Sequence, residues 1–319
     1  MPAPKLPTAD FISIFEEIGP QKMARKFNLP VSSVFRRRAA LERKTGRAII
    51  APGDNPGKIE RIVPPTHPGR IEIDVPDGVV LVGSDAHIWP GPLTPAMRAF
   101  IRFAKDLKPK AVILNGDVMD CATISRHPPI GWESRPTVQQ EIEAAQDVLH
   151  QIERACPRGT RRLWTLGNHD SRYETKIATV APELAKVVGV HLRDHFPHWE
   201  PCWSVWVNQN MVVKHRLKSG IHAPHNNTMW AGRTLVSGHL HSAKVIPLTE
   251  YNGTRYGVDT GCLADPDAKA FVDYTEDGPK NWRSAFGVFT FRAGRLMQPE
   301  LALAWDQDHV EFRGEIIAV

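Results

Sequence analysis

The 319-residue sequence predicts an α/β fold, a sandwich of two mixed sheets flanked by helices and preceded by a small three-helix segment. Three observations carry this expectation. Apolar runs of strand length alternate with amphipathic helical runs between residues 79 and 170, the βαβαβ order of a sheet with parallel strands. Beyond His195 the pattern changes to a series of short strands, enough for a second sheet. The first 48 residues show only helical periodicity and are followed by a stretch rich in proline and glycine.

At the N-terminus, Phe11, Ile12, Ile14, Phe15 and Ile18 mark a first helix that Gly19-Pro20 stops. A second, 21–27, pairs Met23 with Phe27, and Asn28-Leu29-Pro30 turns the chain into a third over 31–44, where Pro30 presets the entry. On that third helix Val31, Val34, Phe35 and Leu41 share one face. Ser32, Ser33, Arg36 and Arg37 point the other way, and Arg38 falls in the apolar stripe and must snorkel. Three short helices with a three-residue turn before the last resemble a helix-turn-helix module of the homeodomain-like kind. Charge supports a polyanion-binding role for it. Residues 1–50 hold ten Lys or Arg against four Asp or Glu, a net of +6, and the chain's total of +5 leaves −1 for the remaining 269.

Residues 51–70 contain five prolines and three glycines, the composition of a semi-stiff linker. The expected domains are therefore 1–48, a linker 49–70, and 71–319. Within the last, strands are expected at 79–85, 111–117 and 161–170, with helices at 95–107 and 137–155. Short strands follow at 203–207, 211–215, 233–238, 244–251, 255–259 and 286–291.

Composition excludes several classes. No apolar run approaches the roughly 20 residues that span a bilayer. The N-terminus lacks a signal peptide's apolar core, which leads to the expectation of a cytoplasmic protein. Four scattered cysteines without CxxC spacing argue against a thiolate zinc site or a disulfide framework.

Polar residues capable of ligating metal cluster at strand ends. Asp85 and His87 follow the first strand in SDAH, Asp117 ends the second in NGD, and Asn168, His169 and Asp170 end the third in GNHD. Later, His215 closes MVVKH, and GHLH supplies His239 and His241. The carboxyl ends of strands are where open α/β sheets place a ligand crevice. Attack on a phosphate ester needs an activated water and neutralisation of negative charge, and two cations roughly 4 Å apart, which such donors could hold, do both. A histidine next to a ligand can protonate the leaving oxygen, a role that suits His169 with Asp170 as its orienting partner.

The ordered series D-x-H (85–87), G-D (116–117), G-N-H-D (167–170), His215 and G-H-x-H (238–241) resembles the calcineurin-like metallophosphoesterase family. The pairing with basic N-terminal helices resembles phage or prophage members. The resemblance implies one metal held by Asp85, His87, Asp117 and His241, and a second by Asp117, Asn168, His215 and His239, with His169 as general acid. It also implies Mn²⁺ first, while Fe, Zn, Ni and Co suit the same oxygen and imidazole donors. One departure stands out: Arg216 occupies the place after His215 where the family usually has glycine, which keeps His222 and His225 as alternatives. Arg126 and Arg172 are candidates to contact the phosphate, and Trp89, Trp132 and Trp230 to stack on bases. The expected activity is a phosphodiesterase or nuclease acting on DNA, with Ser32, Ser33, Arg36 and Arg37 as its nucleic-acid contacts. The alternative is a phosphomonoesterase, or a cyclic-nucleotide or phosphoprotein phosphatase, whose N-terminal helices serve assembly or regulation. Oligomeric state is not legible.

Overall fold

A computed structural model describes residues 6–52, 67–126, 132, 134–268, 271, 275 and 278–319. Most of the expected linker, residues 53–66, lies outside them. The chain divides into two compact units, Met1–Thr66 and His67–Val319.

In the first unit, α1 (Thr8–Lys26) is interrupted at Gly19, whose φ of 76° and ψ of 171° are not helical, so Gly19-Pro20 breaks the chain into the two expected segments. Helix α2 (Val31–Thr45) ends on Gly46 in the left-handed region. Phe11, Phe15, Met23, Val34 and Leu41 are buried together, and Ile49 and Ala51 join them, so this core extends past the expected break at residue 48. Two expectations for α2 need correction. Val31 and Phe35 are exposed, at 41% and 45%. Arg37 packs inward, its guanidinium 4.6 Å from the Phe11 ring centre and hydrogen-bonded to the Leu6 carbonyl. The physical reason is helical geometry. Val34 and Leu41 are seven residues apart, and the positions between them on the same stripe are Arg37 and Arg38, which cover Phe11 and Phe15 with their stems.

The second unit is a sandwich of two mixed sheets flanked by helices. Its strands are β1 (Ile71–Ile73), β2 (Gly78–Gly83), β3 (Ala111–Asn115), β4 (Arg161–Thr165), β5 (Glu200–Cys202), β6 (Val205–Val207), β7 (Met211–Val213) and β8 (Thr234–Ser237). They continue with β9 (Lys244–Glu250), β10 (Gly253–Asp259), β11 (Ala285–Arg292), β12 (Arg295–Leu296), β13 (Glu300–Ala304), β14 (His309–Phe312) and β15 (Glu315–Ala318). One sheet runs β15-β14-β13-β11-β2-β3-β4-β5, with β12 paired to β11, and the other β1-β6-β7-β8-β10-β9. Strands β2 to β5 are parallel neighbours, so their carboxyl ends lie side by side. The helices are α3 (Pro95–Asp106), α4 (Val138–Ala155), α5 (Asp170–Val180), α6 (Leu192–His195) and α7 (Ala223–Ala231).

Alternation along β2 to β4 sorts the two cores. Val80, Val82, Ala111, Ile113 and Leu163 face the second sheet, where they meet Val205, Val213, Val236 and Val258. Leu81, Val112, Leu114 and Trp164 face outward against Phe100 and Phe103 of α3 and Ile142, Leu149 and Ile152 of α4. Buried on both faces, these strands read as continuous apolar runs. Among the described residues no helix is long and apolar enough to cross a membrane.

Glu141 is the polar exception on the buried face of α4 and is fully buried. Its carboxylate accepts the Cys121 and Ala122 N–H groups and so fastens the loop after β3 to α4. Burial pushes its pKa up to about 7, against the pull of those two N–H donors. Its pKa is thus higher folded than unfolded, so its contribution to stability is complete below about 4.5 and disappears as pH rises through about 7. Thermal melts of Glu141→Gln should therefore lose part of the decline in Tm that the natural protein shows from pH 5 to pH 8. Identical pH profiles for the two proteins would show that this carboxyl does not titrate there.

Candidate metal centre

The strand ends bring the motifs together. Residues 85–88 follow β2 and residues 116–118 follow β3, and the two loops continue the pairing of their strands. The N–H groups of Asp85, His87 and Ile88 donate to the carbonyls of Gly116, Asp117 and Val118 at 2.9, 3.0 and 2.9 Å. Residues 167–170 follow β4, and from the opposite sheet His215 follows β7 and residues 238–241 follow β8. Five side chains of this group sit on left-handed backbone: Asp85 (φ 53°), His87 (41°), Asp117 (50°), His239 (69°) and His241 (55°). Such conformations cost on the order of 1 kcal/mol or more each and persist where the surroundings over-determine them. Here they turn consecutive side chains into one crevice.

Two clusters result. Asp85, His87 and His241 bring ligand atoms within 4.8 Å of one another, and so do Asp117, His215 and His239. Asp85 Oδ1 lies 3.1 Å from His241 Nε2 and 4.0 Å from both His87 Nε2 and His215 Nε2. Asp117 Oδ2 lies 3.1 Å from His215 Nε2. The second oxygen of each carboxylate is held by backbone: Asp85 Oδ2 accepts the His239 N–H and Asp117 Oδ1 the His169 N–H, both at 2.8 Å.

The donor atoms aimed into the crevice lack proton partners. His87 Nδ1 and Nε2, His215 Nε2 and Asn168 Oδ1 are all buried without a hydrogen bond among the described residues. His215 Nδ1 donates its N–H to the Asn115 carbonyl at 2.8 Å, which orients the ring so that Nε2 faces Asp117. A buried polar atom left unsatisfied costs about 1–3 kcal/mol. Several in one crevice, on imidazole and amide groups beside the Asp85 and Asp117 carboxylates and with no thiolate in the clusters, fit divalent cations of the Mn, Fe, Co, Ni or Zn kind. Electrostatics points the same way. Burial pulls the His215 pKa down, but the carboxylates of Asp117 and Asp85 more than offset it and carry it up to about 10. Positive charge is what this crevice holds most firmly.

His169 stands at the edge of the clusters, with its Nε2 3.8 Å from Asp117 Oδ2. Its orienting partner is not Asp170, as the sequence suggested, but Asp120, whose Oδ1 is 2.5 Å from His169 Nδ1. Asp120 also lies 3.5 Å from His87 Nδ1, and the three residues form a third cluster. Burial pulls the His169 pKa down, while the Asp120 hydrogen bond and the Asp117 charge leave it above the ordinary value. Arg172 donates from one guanidinium nitrogen to the Asp120 carbonyl at 2.9 Å, and its other sits 3.1 Å from His169 Nε2. Asp170 instead turns inward. Its carboxylate accepts the N–H groups of Asp117, Val118, Met119 and Gly167 and the Trp164 indole N–H, at 2.8 to 3.3 Å.

The remaining candidates divide. His222 is exposed and His225 half-buried, while His215, at 1% exposure, joins the second cluster. Arg126 is exposed on the loop beyond Asp120. Trp132 is fully exposed, and Trp230 is 65% exposed with Lys218 Nζ 4.2 Å from its ring centre. Asp120 was missed although it stands three residues after Asp117 in GDVMD, a spacing that returns the chain to the crevice after one short loop.

No family model matches the chain, and no curated protein matches it. Among solved structures it is similar to wild-type Vps29 from Entamoeba histolytica complexed with zinc (12% identity, 75% of this chain and 98% of that one, TM-score 0.40). It is also similar to Yfce, a phosphoesterase from E. coli (14%, 75% and 97%, TM-score 0.34). A dimetal phosphatase from Danio rerio gives 8% identity over 77% of this chain and 99% of that one, with TM-score 0.37.

The motif glycines make room for ligands from other motifs. A Cβ on Gly116 would stand 2.4 Å from the His215 ring, one on Gly238 2.4 Å from Asp85 Oδ2, and one on Gly167 2.0 Å from Asp117 Oδ1 and 2.4 Å from its backbone nitrogen. Since backbone cannot yield as a flexible side chain does, Gly167→Ala should displace Asp117. The expected outcome is loss of Mn²⁺ binding by at least about tenfold, read by calorimetry on a protein that still melts cooperatively. Unchanged binding would show that Asp117 is not confined there.

Proposed function

We propose that this chain is a dimetal-dependent phosphoester hydrolase. The observation that carries the reading is the convergence of buried, unpartnered donor atoms into two clusters beside a histidine that has its own carboxylate. Asp85, His87, Asp117 and His241 would hold one cation and Asp117, Asn168, His215 and His239 the other, with Asp117 common to both. Bound there, the cations would neutralise phosphate charge and make a water acidic enough to attack at neutral pH.

The protein's own groups divide the remaining work. Asp120 engages His169 Nδ1, so the proton that His169 can give to a leaving oxygen is the one on Nε2. Against burial, the Asp120 hydrogen bond and the Asp117 charge raise the His169 pKa and so favour the form that has a proton to give. Arg172, beside that nitrogen, is placed to receive an equatorial phosphate oxygen, after which its guanidinium no longer occupies Nε2. With Mn²⁺, the protein should hydrolyse bis(p-nitrophenyl) phosphate. His169→Ala should lower kcat by about 10²–10⁴ while two metals per chain remain, measured by elemental analysis beside steady-state rates. Full activity in His169→Ala would remove the acid from this scheme, and a strong preference for p-nitrophenyl phosphate would make the enzyme a monoesterase.

The finer reading is a phosphodiesterase that acts on DNA. It is supported by the +6 charge of residues 1–50 and by Ser32, Arg36, Arg43 and Lys44, which are exposed on and around α2. Phosphate contacts of this kind give binding that weakens steeply with salt. Removal of residues 1–48 should cut affinity for DNA and flatten its salt dependence, measured by fluorescence anisotropy. An unchanged salt slope would reassign the N-terminal helices to assembly or regulation.

A further inference from the structure

A cavity of about 820 Å³ opens beside the first cluster, with His87 in its wall. That size suits an organic ligand, for which pockets run roughly 300–1,000 Å³. Its two sides differ in chemistry. One is apolar and comes from the segment between β2 and α3, with Ile88, Trp89 and Leu93, closed below by Leu263. The other is a polar stripe on α4, where Gln140, Glu143, Asp147 and Gln151 follow one another at helical spacing along a single face. Asp265 adds a third carboxylate, and no lysine or arginine lines the cavity among the described residues.

These features select an occupant. Three carboxylates repel phosphate, so the described wall of this cavity does not suit a nucleic-acid backbone, whose recognition relies on Lys and Arg. A flat ring with apolar faces suits the Trp89 side, since base–aromatic stacking is worth about 1–3 kcal/mol. The α4 stripe offers acceptors, which match an exocyclic amine as Asp or Glu match the amine of cytosine and Gln the edge of adenine. We infer that the cavity takes an unpaired nucleobase bearing an exocyclic amine, the base of the nucleoside whose phosphoester lies at the metal centre. The inference rests on the phosphodiester reading above and narrows it to single-stranded ends, unpaired nucleotides or nucleotide esters.

Cytidine and uridine separate the idea cleanly, because they differ in whether an amine or a carbonyl faces the carboxylates. Calorimetry on the full chain should show cytidine binding at least about fivefold more tightly than uridine, the lower end of what one base-edge contact supplies. Glu143→Lys with Asp147→Lys, both exposed on α4, should erase that difference in a protein that still melts cooperatively. The Glu143→Ala, Asp147→Ala pair should weaken it in the same direction. Equal binding of the two nucleosides, or a preference that survives the lysine pair, would overturn the inference. Nucleoside binding needs neither metal nor turnover. Selective cytidine binding by a protein that hydrolyses no phosphoester would leave the cavity standing and refute the hydrolase reading instead.

Discussion

The crevice depends on the carboxylate of Asp170. Five N–H groups converge on it, from Asp117, Val118, Met119, Gly167 and the Trp164 indole. That one side chain ties the loop after β3 to the loop after β4 and fixes Asp117, a member of the second cluster. Burial and the nearby Asp117 charge push its pKa up to about 6, while both its oxygens accept N–H groups, the pattern of an ionised carboxylate. Charge-assisted hydrogen bonds are about twice as strong as neutral ones. An ionised Asp170 therefore supplies the attraction that holds Asp117 at φ 50°.

The same bargain recurs around the crevice. Left-handed backbone at Asp85, His87, His239 and His241 is unfavourable locally, yet the continued pairing of the β2 and β3 loops, and the His239 N–H on Asp85, leave those residues no other arrangement. The glycines of the three motifs complete the fit, since each removes a Cβ from the path of a ligand that arrives from elsewhere in the chain. Strain and empty space are thus two sides of one design. Proteins concentrate such strain at functional sites and support it by the packing around it, here by two sheets whose inner faces are apolar and mostly Val and Ile.

How much of this the sequence contained follows from where the information resides. The parallel strands were legible because burial on both faces gives unbroken apolar runs, and helices α3 and α4 because their apolar stripes are regular. The residues that meet in the two clusters were legible from position, as each follows such a run. What escaped was set by tertiary geometry. Asp120 and Asp170 carry the same carboxylate, and only the direction of each backbone decides that one meets His169 and the other meets five N–H groups. Strands β12 to β15 are short and amphipathic at a sheet edge, where propensity is weak. In α2, helical angle alone placed Val31 and Phe35 inside. Only two short helical segments face α2, and the long stems of Arg37 and Arg38 cover that ground instead.

Helix α4 joins these strands of the argument. Its buried face sends Glu141 to the loop that carries Asp120, so the helix sets where His169 finds its carboxylate. Its exposed face presents Gln140, Glu143 and Asp147 to the cavity beside His87. Positions 140, 141 and 143 are separated by one or two residues, and the turn of the helix assigns them to opposite tasks. The loop that carries the His169 partner and the cavity wall are thereby both tied to one helix. A shift of α4 against the sheet would move both together, which makes Ile142, Leu149 and Ile152, packed on the apolar face of β3 and β4, as important to the crevice as the residues that line it.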